Sequence, residues 1–482
     1  MIKQTQIETN KLGFFRFKEI KGNFLLTNDV GEYSFLSTRD FDNFISGRLN
    51  KFGQDKYKEL QLKGFLKNTA DLQKLITKYA ARHSFLASST SLHIIVTTLS
   101  CNHGCLYCQT SSRNTDGSKR LHMDIATARK VIERIFESPS PSITIEFQGG
   151  EPLLNFDIIR FIIEEATKKN IKAKKDLLFA LVSNLTALTE DQFKYLVKHK
   201  ISICTSLDGP EKLHNKQRVF ISEANSHKKT IMWLKKFKES FDNRSFPHHV
   251  NALATVTRYS FPLYKQIIDE YIRLGLDQIH LRPAIPFGLA KDNWSNIGFS
   301  AAEFLNFYKK ALDYIIKKNI SGKQITERTA LIFLKKILSD NDPNFLDMRS
   351  PCGAATGQLA YDYNGDVYTC DEGRMLGQMG ERSFKLGSVC THSHTDLIKS
   401  PVSNSLAVSS CLENLAGCSD CVYNPYCGVC PIYNYNVNNN IFGREPFNDR
   451  CRINKGILDH IFDKMKDKKT KSIFENWCKK RI

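Results

Sequence analysis

Three cysteines fall within eight residues in the run Cys101-Asn-His-Gly-Cys105-Leu-Tyr-Cys108, with three and then two residues between them. Thiolates are the usual ligands of iron–sulfur clusters, and a four-iron cluster takes four. Three ligands on one loop therefore leave one iron open. An open iron on a strongly reducing cluster is what S-adenosylmethionine needs in order to be cleaved to a carbon radical. Tyr107, just ahead of the last cysteine, suits that use. A zinc loop, or unrelated core cysteines, would carry the same triplet.

More polar groups follow at regular intervals. Gln148-Gly149-Gly150-Glu151-Pro152 offers backbone groups that glycine lets approach a ligand closely, and Glu151 offers a charge for an ammonium group. Ser183 and Asn184 carry hydroxyl and amide groups suited to a ribose. Ser206-Leu207-Asp208-Gly209-Pro210, with His214 and Arg218 after it, could hold a carboxylate through Ser206 and a bidentate Arg218. Each group alone reads as a strand cap or a turn residue. What raises their interest is that each stands at the end of an apolar, β-branched run.

Those runs are strands expected at 92–98, 143–147, 178–183, 201–207, 248–256 and 278–282. Helical patterns lie between them, as at 123–136, 156–169 and 189–199. Six strands each followed by a helix imply a parallel sheet, here an α/β fold with a partial (β/α)6 TIM-like barrel over 90–300. Functional groups belong at the C-terminal strand ends of such a barrel. Ahead of it, residues 1–75 show three short β-like runs (14–17, 23–27, 32–36) and then helical stretches at 39–49 and 56–62, a winged-helix-like module. Its sheet edge could accept an extended peptide. A helical linker is expected at 301–344, a cysteine-rich domain at 345–455 and a basic helix at 456–482.

Composition narrows the setting. The chain has 482 residues, enough for two or three domains, and 41% hydrophobic with 25% charged residues is ordinary for a globular protein. The first residues have no apolar core of a signal peptide, and no apolar run reaches the roughly 18–20 residues of a membrane span. A cytoplasmic protein without a membrane partner is expected. Its fourteen cysteines are then metal ligands or core residues rather than disulfides. The net charge of +19 attracts polyanions and acidic peptides, but the lysines are spread along the chain as on a solvated surface, which argues against nucleic acid as the partner.

Taken together, the motifs resemble the radical S-adenosylmethionine (SAM) enzymes over roughly residues 90–285. By that resemblance Cys101, Cys105 and Cys108 bind the catalytic four-iron, four-sulfur cluster. Gly149, Gly150 and Glu151 meet the methionine amino group, Ser183 and Asn184 the ribose, and Ser206 and Arg218 the methionine carboxylate. Leu185 departs from the pattern, since many relatives have glycine after the asparagine.

The later cysteines resemble the SPASM extension of peptide-modifying radical enzymes, which holds two auxiliary clusters. The resemblance assigns Cys418, Cys421, Cys427 and Cys451 to one and Cys352, Cys370 and Cys430 to the other. Cys411, Cys390 or substrate is left for the fourth position of the second. A structural zinc on Cys418, Cys421, Cys427 and Cys430 is the competing reading. Asp371, directly after Cys370, matches an acid thought to take the substrate proton in sulfatase-maturing relatives.

A narrower resemblance, to the radical enzyme of the His-Xaa-Ser peptide maturation system, rests on residues 15–18, 25–32, 145–156 and 371–376. It implies a ribosomally made precursor with a leader, a second radical SAM maturase as partner, and an external electron donor. The expectation is thus a peptide maturase. An RNA-modifying radical enzyme and a zinc-stabilised binding protein are the alternatives.

Overall fold

The structure is a computed structural model that describes residues 10–67, 71–110, 113–114, 121–221, 225–241, 250–340 and 342–479. Three short strands, β1 (Arg16–Ile20), β2 (Asn23–Thr27) and β3 (Tyr33–Ser37), form an antiparallel sheet in sequence order. Lys21 and Gly22 both have positive φ (50° and 75°), as a two-residue hairpin turn requires. The helices Thr38–Ile45 and Gln54–Leu62 follow, the first capped by the Ser37 hydroxyl, which accepts from Asp40 N. Leu26, Leu36, Phe41, Phe44, Leu60 and Phe65 form the core of this module.

The main sheet has ten strands, and its middle is the expected barrel. These are β4 (Leu92–Thr98), β5 (Ser142–Gly149), β6 (Asp176–Ser183), β7 (Ser202–Ser206), β8 (Val250–Val256) and β9 (Gln278–Pro283), all parallel and in chain order. Alternation along β5, β7 and β9 buries Ile143, Ile145, Phe147, Ile203, Ile279 and Leu281 in the main hydrophobic core. The other face, with Glu146, Gln148, Cys204, Ser206, His280 and Arg282, stays half-buried. The helices Ile125–Phe136, Phe156–Ala173 and Glu190–Lys198 fall where the periodicity places them. Residues 248 and 249 of the expected fifth barrel strand lie outside the described residues.

The sheet continues past the barrel at both sides and does not close. The segment expected as a linker is not one. Its helices Ala301–Ile320 and Arg328–Leu338 flank β10 (Thr326–Glu327), which pairs in parallel with β9. Glu327, fully buried there, accepts from Leu281 N at 3.2 Å, from Ala330 N at 2.7 Å and from the Tyr308 hydroxyl. On the opposite side β11 (Gln358–Tyr361), from the cysteine-rich region, pairs in parallel with β4 and carries β12 (Asp366–Tyr368) and β13 (Lys385–Ser388) antiparallel beyond it. The single helix expected over 456–482 is two, Asp449–Lys464 and Lys468–Cys478, the second restarted by an Asp467 cap.

The N-terminal module rests on that C-terminal part. Phe462, fully buried, takes the rings of Tyr33, Phe35, Tyr423 and Tyr426 at centroid distances of 5.4, 6.2, 5.9 and 5.7 Å. Lys18 and Lys21 pair with Asp459 and Asp463 at 2.6 Å each. These exposed pairs add little beside the aromatic contact. Phe462→Ala is expected to cost about 3–5 kcal/mol, read as a lower denaturation midpoint with the N-terminal module the first part to become protease-sensitive. An unchanged midpoint and digestion pattern would contradict this.

Candidate active site

The three-cysteine loop leaves β4 and is held mainly by backbone. Its segment His103–Cys105 pairs antiparallel with Arg218–Phe220, which sets Arg218 directly opposite Cys105. Leu106 N donates to Gln217 O at 2.9 Å, and Cys108 N to Cys105 O at 3.1 Å. The Gly149-Gly150 turn closes on the same loop: Gly150 N donates to Thr98 O and Glu151 N to Ser100 O, both at 2.8 Å. A Cβ at Gly149 would lie 2.2 Å from Thr98 O, and one at Gly150 2.2 Å from Ser100 O. No side chain fits in either place. The close approach these glycines permit is thus, first of all, to the cysteine loop.

Glu151 is 1% exposed and its carboxylate is already engaged. It accepts from Leu153 N (3.1 Å), the Ser183 hydroxyl (2.7 Å) and Asn184 N (2.8 Å). Burial pushes it up to about 7, with those three bonds working the other way. Asn184 Nδ2 donates to Asn102 Oδ1 at 2.9 Å, Asn102 Nδ2 donates to Thr186 Oγ1 at 2.9 Å, and Thr186 Oγ1 donates to Asn184 Oδ1 at 2.7 Å. The loops after β4, β5 and β6 are therefore one hydrogen-bonded unit.

Asp208, which the sequence suggested only as a turn residue, is the hub of the next layer. Its side chain is wholly buried and accepts from Tyr107 OH at 2.6 Å, Gln217 Nε2 at 3.0 Å, Arg218 Nε at 3.2 Å and Thr255 N at 3.1 Å. Arg218 also lies over the Tyr107 ring at 5.2 Å, with Nη1 4.0 Å from Cys105 Sγ. Burial opposes the Arg218 charge, but Tyr107, Asp208 and Cys105 outweigh it and hold its pKa above the ordinary value. Ser206 ends β7 on the half-buried face.

The cysteines are arranged for ionised sulfur. Backbone amides donate to three of them at 3.4 Å: His103 N to Cys101 Sγ, Gly373 N to Cys370 Sγ and Tyr433 N to Cys430 Sγ. Cys370 and Cys430 cap the helices Asp371–Gln378 and Pro431–Asn438, so each sulfur sits at a helix N-terminus, which favours thiolate. Burial first, with nearby negative groups adding to it and Arg218 and Arg450 opposing, pushes the Cys105 thiol up to about 12 and the Cys430 thiol up to about 11. A cationic cluster offsets that cost, so the donor set fits iron–sulfur ligation.

Cys352, Cys370 and Cys430 share one buried cluster. Cys418, Cys421, Cys427 and Cys451 line a common hollow of about 460 Å³ with Asn434, Glu445 and Lys455. Cys430 reaches that hollow too, and among the described residues no three His, Cys, Asp or Glu side chains close on a single ion position. Cys390 lies apart, exposed and 3.4 Å from Lys130 Nζ. Cys411 is nearer, one residue past the Ser410 hydroxyl that accepts from Cys352 N at 2.9 Å, but its thiol donates to Glu413 at 3.3 Å.

Asp371 opens the helix after Cys370, and both Nε (2.8 Å) and Nη2 (2.7 Å) of the fully buried Arg374 approach its Oδ1. Beside it Glu372 is pushed up to about 6 by burial and Asp347, with Arg282 Nη2 3.8 Å from its Oε1 pulling the other way.

Two substitutions probe this scaffold. Asp208→Asn leaves Arg218 buried without its anion and is expected to destabilise by about 3–5 kcal/mol, measured by denaturant unfolding; a loss under 1 kcal/mol would show that Tyr107 and Cys105 suffice. Leu185, where the resemblance leads to an expected glycine, has φ +62° yet is 0% exposed in the core. The left-handed backbone costs about 1–2 kcal/mol, while deleting a buried leucine costs about 2–5 kcal/mol. Leu185→Gly should therefore be the less stable protein, and a gain in stability would reverse that ranking.

Comparison with known proteins agrees with this geometry. Residues 95–251 match the Radical SAM superfamily model. A cysteine-type anaerobic sulfatase-maturating enzyme of Clostridium novyi (strain NT) is 24% identical over 372 residues, covering 73% of this chain and 92% of that protein. The radical SAM cyclopropyl synthase TigE of Paramaledivibacter caminithermalis is 22% identical over 369 residues, covering 73% of this chain and 70% of its own. Among solved structures, native anSMEcpe with bound AdoMet superposes with a TM-score of 0.66 at 19% identity, over 80% of this chain and 99% of that one. Streptococcus suis SuiB bound to precursor peptide SuiA gives 0.52 at 14% identity, over 90% and 98%. Residues 95–251 thus form a radical SAM domain, set in a chain with the fold seen in anSMEcpe and SuiB.

Proposed function

We propose that this enzyme modifies a peptide or protein, with Cys101, Cys105 and Cys108 holding the catalytic cluster. The observation that carries the reading is placement. The cysteine loop, the Gly149-Gly150 turn, Ser183-Asn184 and Ser206 all lie at the C-terminal ends of β4–β7, and β12, antiparallel beside β11, leads into Cys370 and Asp371 at the neighbouring edge of the same sheet. When bound, the cluster and S-adenosylmethionine supply a deoxyadenosyl radical able to take hydrogen from a substrate carbon.

The chain's own residues bind and orient. Arg218, kept charged and oriented by Asp208 and Tyr107, meets the methionine carboxylate together with Ser206. Gly149 and Gly150 present their backbone to the methionine amino group, and Glu151 acts from beneath by locking that turn to Ser183 and Asn184, beside which the ribose lies. Cys418, Cys421, Cys427 and Cys451 hold one auxiliary cluster, and Cys352, Cys370 and Cys430 the other. Asp371, held through Oδ1, keeps Oδ2 for a substrate proton, the role of a general base.

Relatives named for sulfatase maturation and a structure bound to a precursor peptide support a polypeptide substrate. The N-terminal module would grip the leader of a ribosomally made precursor, of the His-Xaa-Ser kind by its motifs, alongside a second radical maturase and an external electron donor. The reading places the protein itself in the cytoplasm; no helix among the described residues is long and apolar enough to cross a membrane.

Cys105→Ala is expected to abolish deoxyadenosine formation under anaerobic reduction while the auxiliary iron remains. The wild-type protein purified without oxygen should carry about twelve iron and matching sulfide per chain, as three four-iron clusters require. Undiminished deoxyadenosine in the variant, or zinc without sulfide in the wild type, would refute the reading.

A further inference from the structure

The helix Asp371–Gln378 begins on Cys370 and ends against the barrel's cysteine loop. Gly288 N donates to Met379 Sδ, just past its last turn, at 3.1 Å. Gly288 in turn stands so close to that loop that a Cβ there would lie 2.9 Å from Cys108 O, and Ala290 N donates to the same carbonyl at 3.2 Å.

Within the helix, Arg374 is 0% exposed. Nε donates to Asp371 Oδ1 and Nη2 forms an ion pair with the same oxygen at 2.7 Å, but neither Nη1 nor Nη2 makes a hydrogen bond among the described residues. Leaving a buried donor unpaired costs about 1–3 kcal/mol, and more when it is charged. Burial works against the guanidinium charge, and Asp371, then Asp362 and last Cys108 counter it. Cys370, on the same helix, already receives Gly373 N.

We propose that Arg374 Nη1 donates to the catalytic cluster at its Cys108 edge, an inference that rests on Cys101, Cys105 and Cys108 being the ligands of that cluster. A cationic donor stabilises the more negative, reduced form, so Arg374 raises the cluster's reduction potential. Arg374 belongs to the cysteine-rich extension. Folding of that extension around Cys352, Cys370 and Cys430 therefore supplies the barrel with a donor that the barrel's own loops do not provide, and Arg374 is a positioning and tuning residue rather than a catalytic one.

The test is a redox titration of the full-length, iron-loaded enzyme, following the EPR signal that changes when S-adenosylmethionine is added. That response separates the catalytic cluster from any auxiliary one. In Arg374→Gln the ratio of reduced to oxidised catalytic cluster at a fixed potential should fall about tenfold, equivalent to about 59 mV for one electron. Arg374→Lys, which keeps the charge, should recover part of the shift.

Equal midpoints in wild type and Arg374→Gln overturn the proposal, as does weakened S-adenosylmethionine binding with an unmoved potential, which would assign Arg374 to the cosubstrate. A wild type with no responsive signal overturns the ligand assignment itself. Should Arg374→Gln lose its iron, wild type and Arg374→Lys labelled with ¹⁵N-arginine decide. A nitrogen coupling to the reduced catalytic cluster in pulsed EPR that is present in wild type and lost in Arg374→Lys supports Arg374, and identical couplings in the two overturn it.

Discussion

The buried Asp208 carboxylate is the contact on which the site's shape depends. It is the point where Tyr107 of the cysteine loop, Gln217 and Arg218 of the opposing strand and the Thr255 amide of β8 converge. An anion this deep is tolerable only because every one of its bonds is made and a guanidinium faces it. In return it fixes Arg218 opposite Cys105 and stops Tyr107 from turning. The loop's own apolar anchors are few, Leu106 and Tyr107 packing in a small cluster with Ala284, Ala290 and Ile297, and the rest of its hold is polar. Its position comes from Asp208 on one side and from the Gly149-Gly150 backbone on the other.

The fold was legible where periodicity speaks. The β/α alternation gave β4–β9 nearly to the residue, because each strand is long enough to alternate and is followed by a helix. The extensions of the sheet were hidden. Thr326–Glu327 is two residues long, and Gln358–Tyr361 is a four-residue run inside a turn-rich segment, so neither has a period to read. Their pairing is decided by the open edges of β9 and β4, a tertiary fact.

The site divides in the same way. Cysteine spacing marked the residues proposed as ligands, and the glycine expectation at 185 points to a real left-handed backbone position, filled here by a leucine whose burial offsets the strain. Asp208 was missed because Asp-Gly-Pro is a turn signature whatever the aspartate does. Glu151 was noticed for its charge, yet its bonds are spent on neighbouring loops; nothing in a sequence distinguishes a carboxylate that meets a ligand from one that caps a turn. Arg374 was missed because one arginine in a helix carries no spacing signal, and only its burial and its unpaired Nη1 single it out.

The pairing of β11 with β4 bears on how a substrate would meet both halves of the enzyme. Neighbouring strands lie about 4.8 Å apart, and β12, which leads into Cys370, is the second strand from β4. Tyr368 pairs with Ala360, which pairs with Ile94, so β12 runs back toward the N-terminal end of β4, and the offset between the Cys101–Cys108 loop and the start of the Asp371 helix is set by the ladder rather than by a hinge between domains. Backbone ladders are stiff, whereas interdomain contacts of side chains alone allow relative motion. Asp371 is thus carried at a fixed height relative to the cysteine loop, and access is governed by what enters the open sheet rather than by closure of the cysteine-rich region onto the barrel. The aromatic contact at Phe462 extends the same rigidity to the N-terminal module, which is coupled to the site through the cysteine-rich region rather than through the barrel helices.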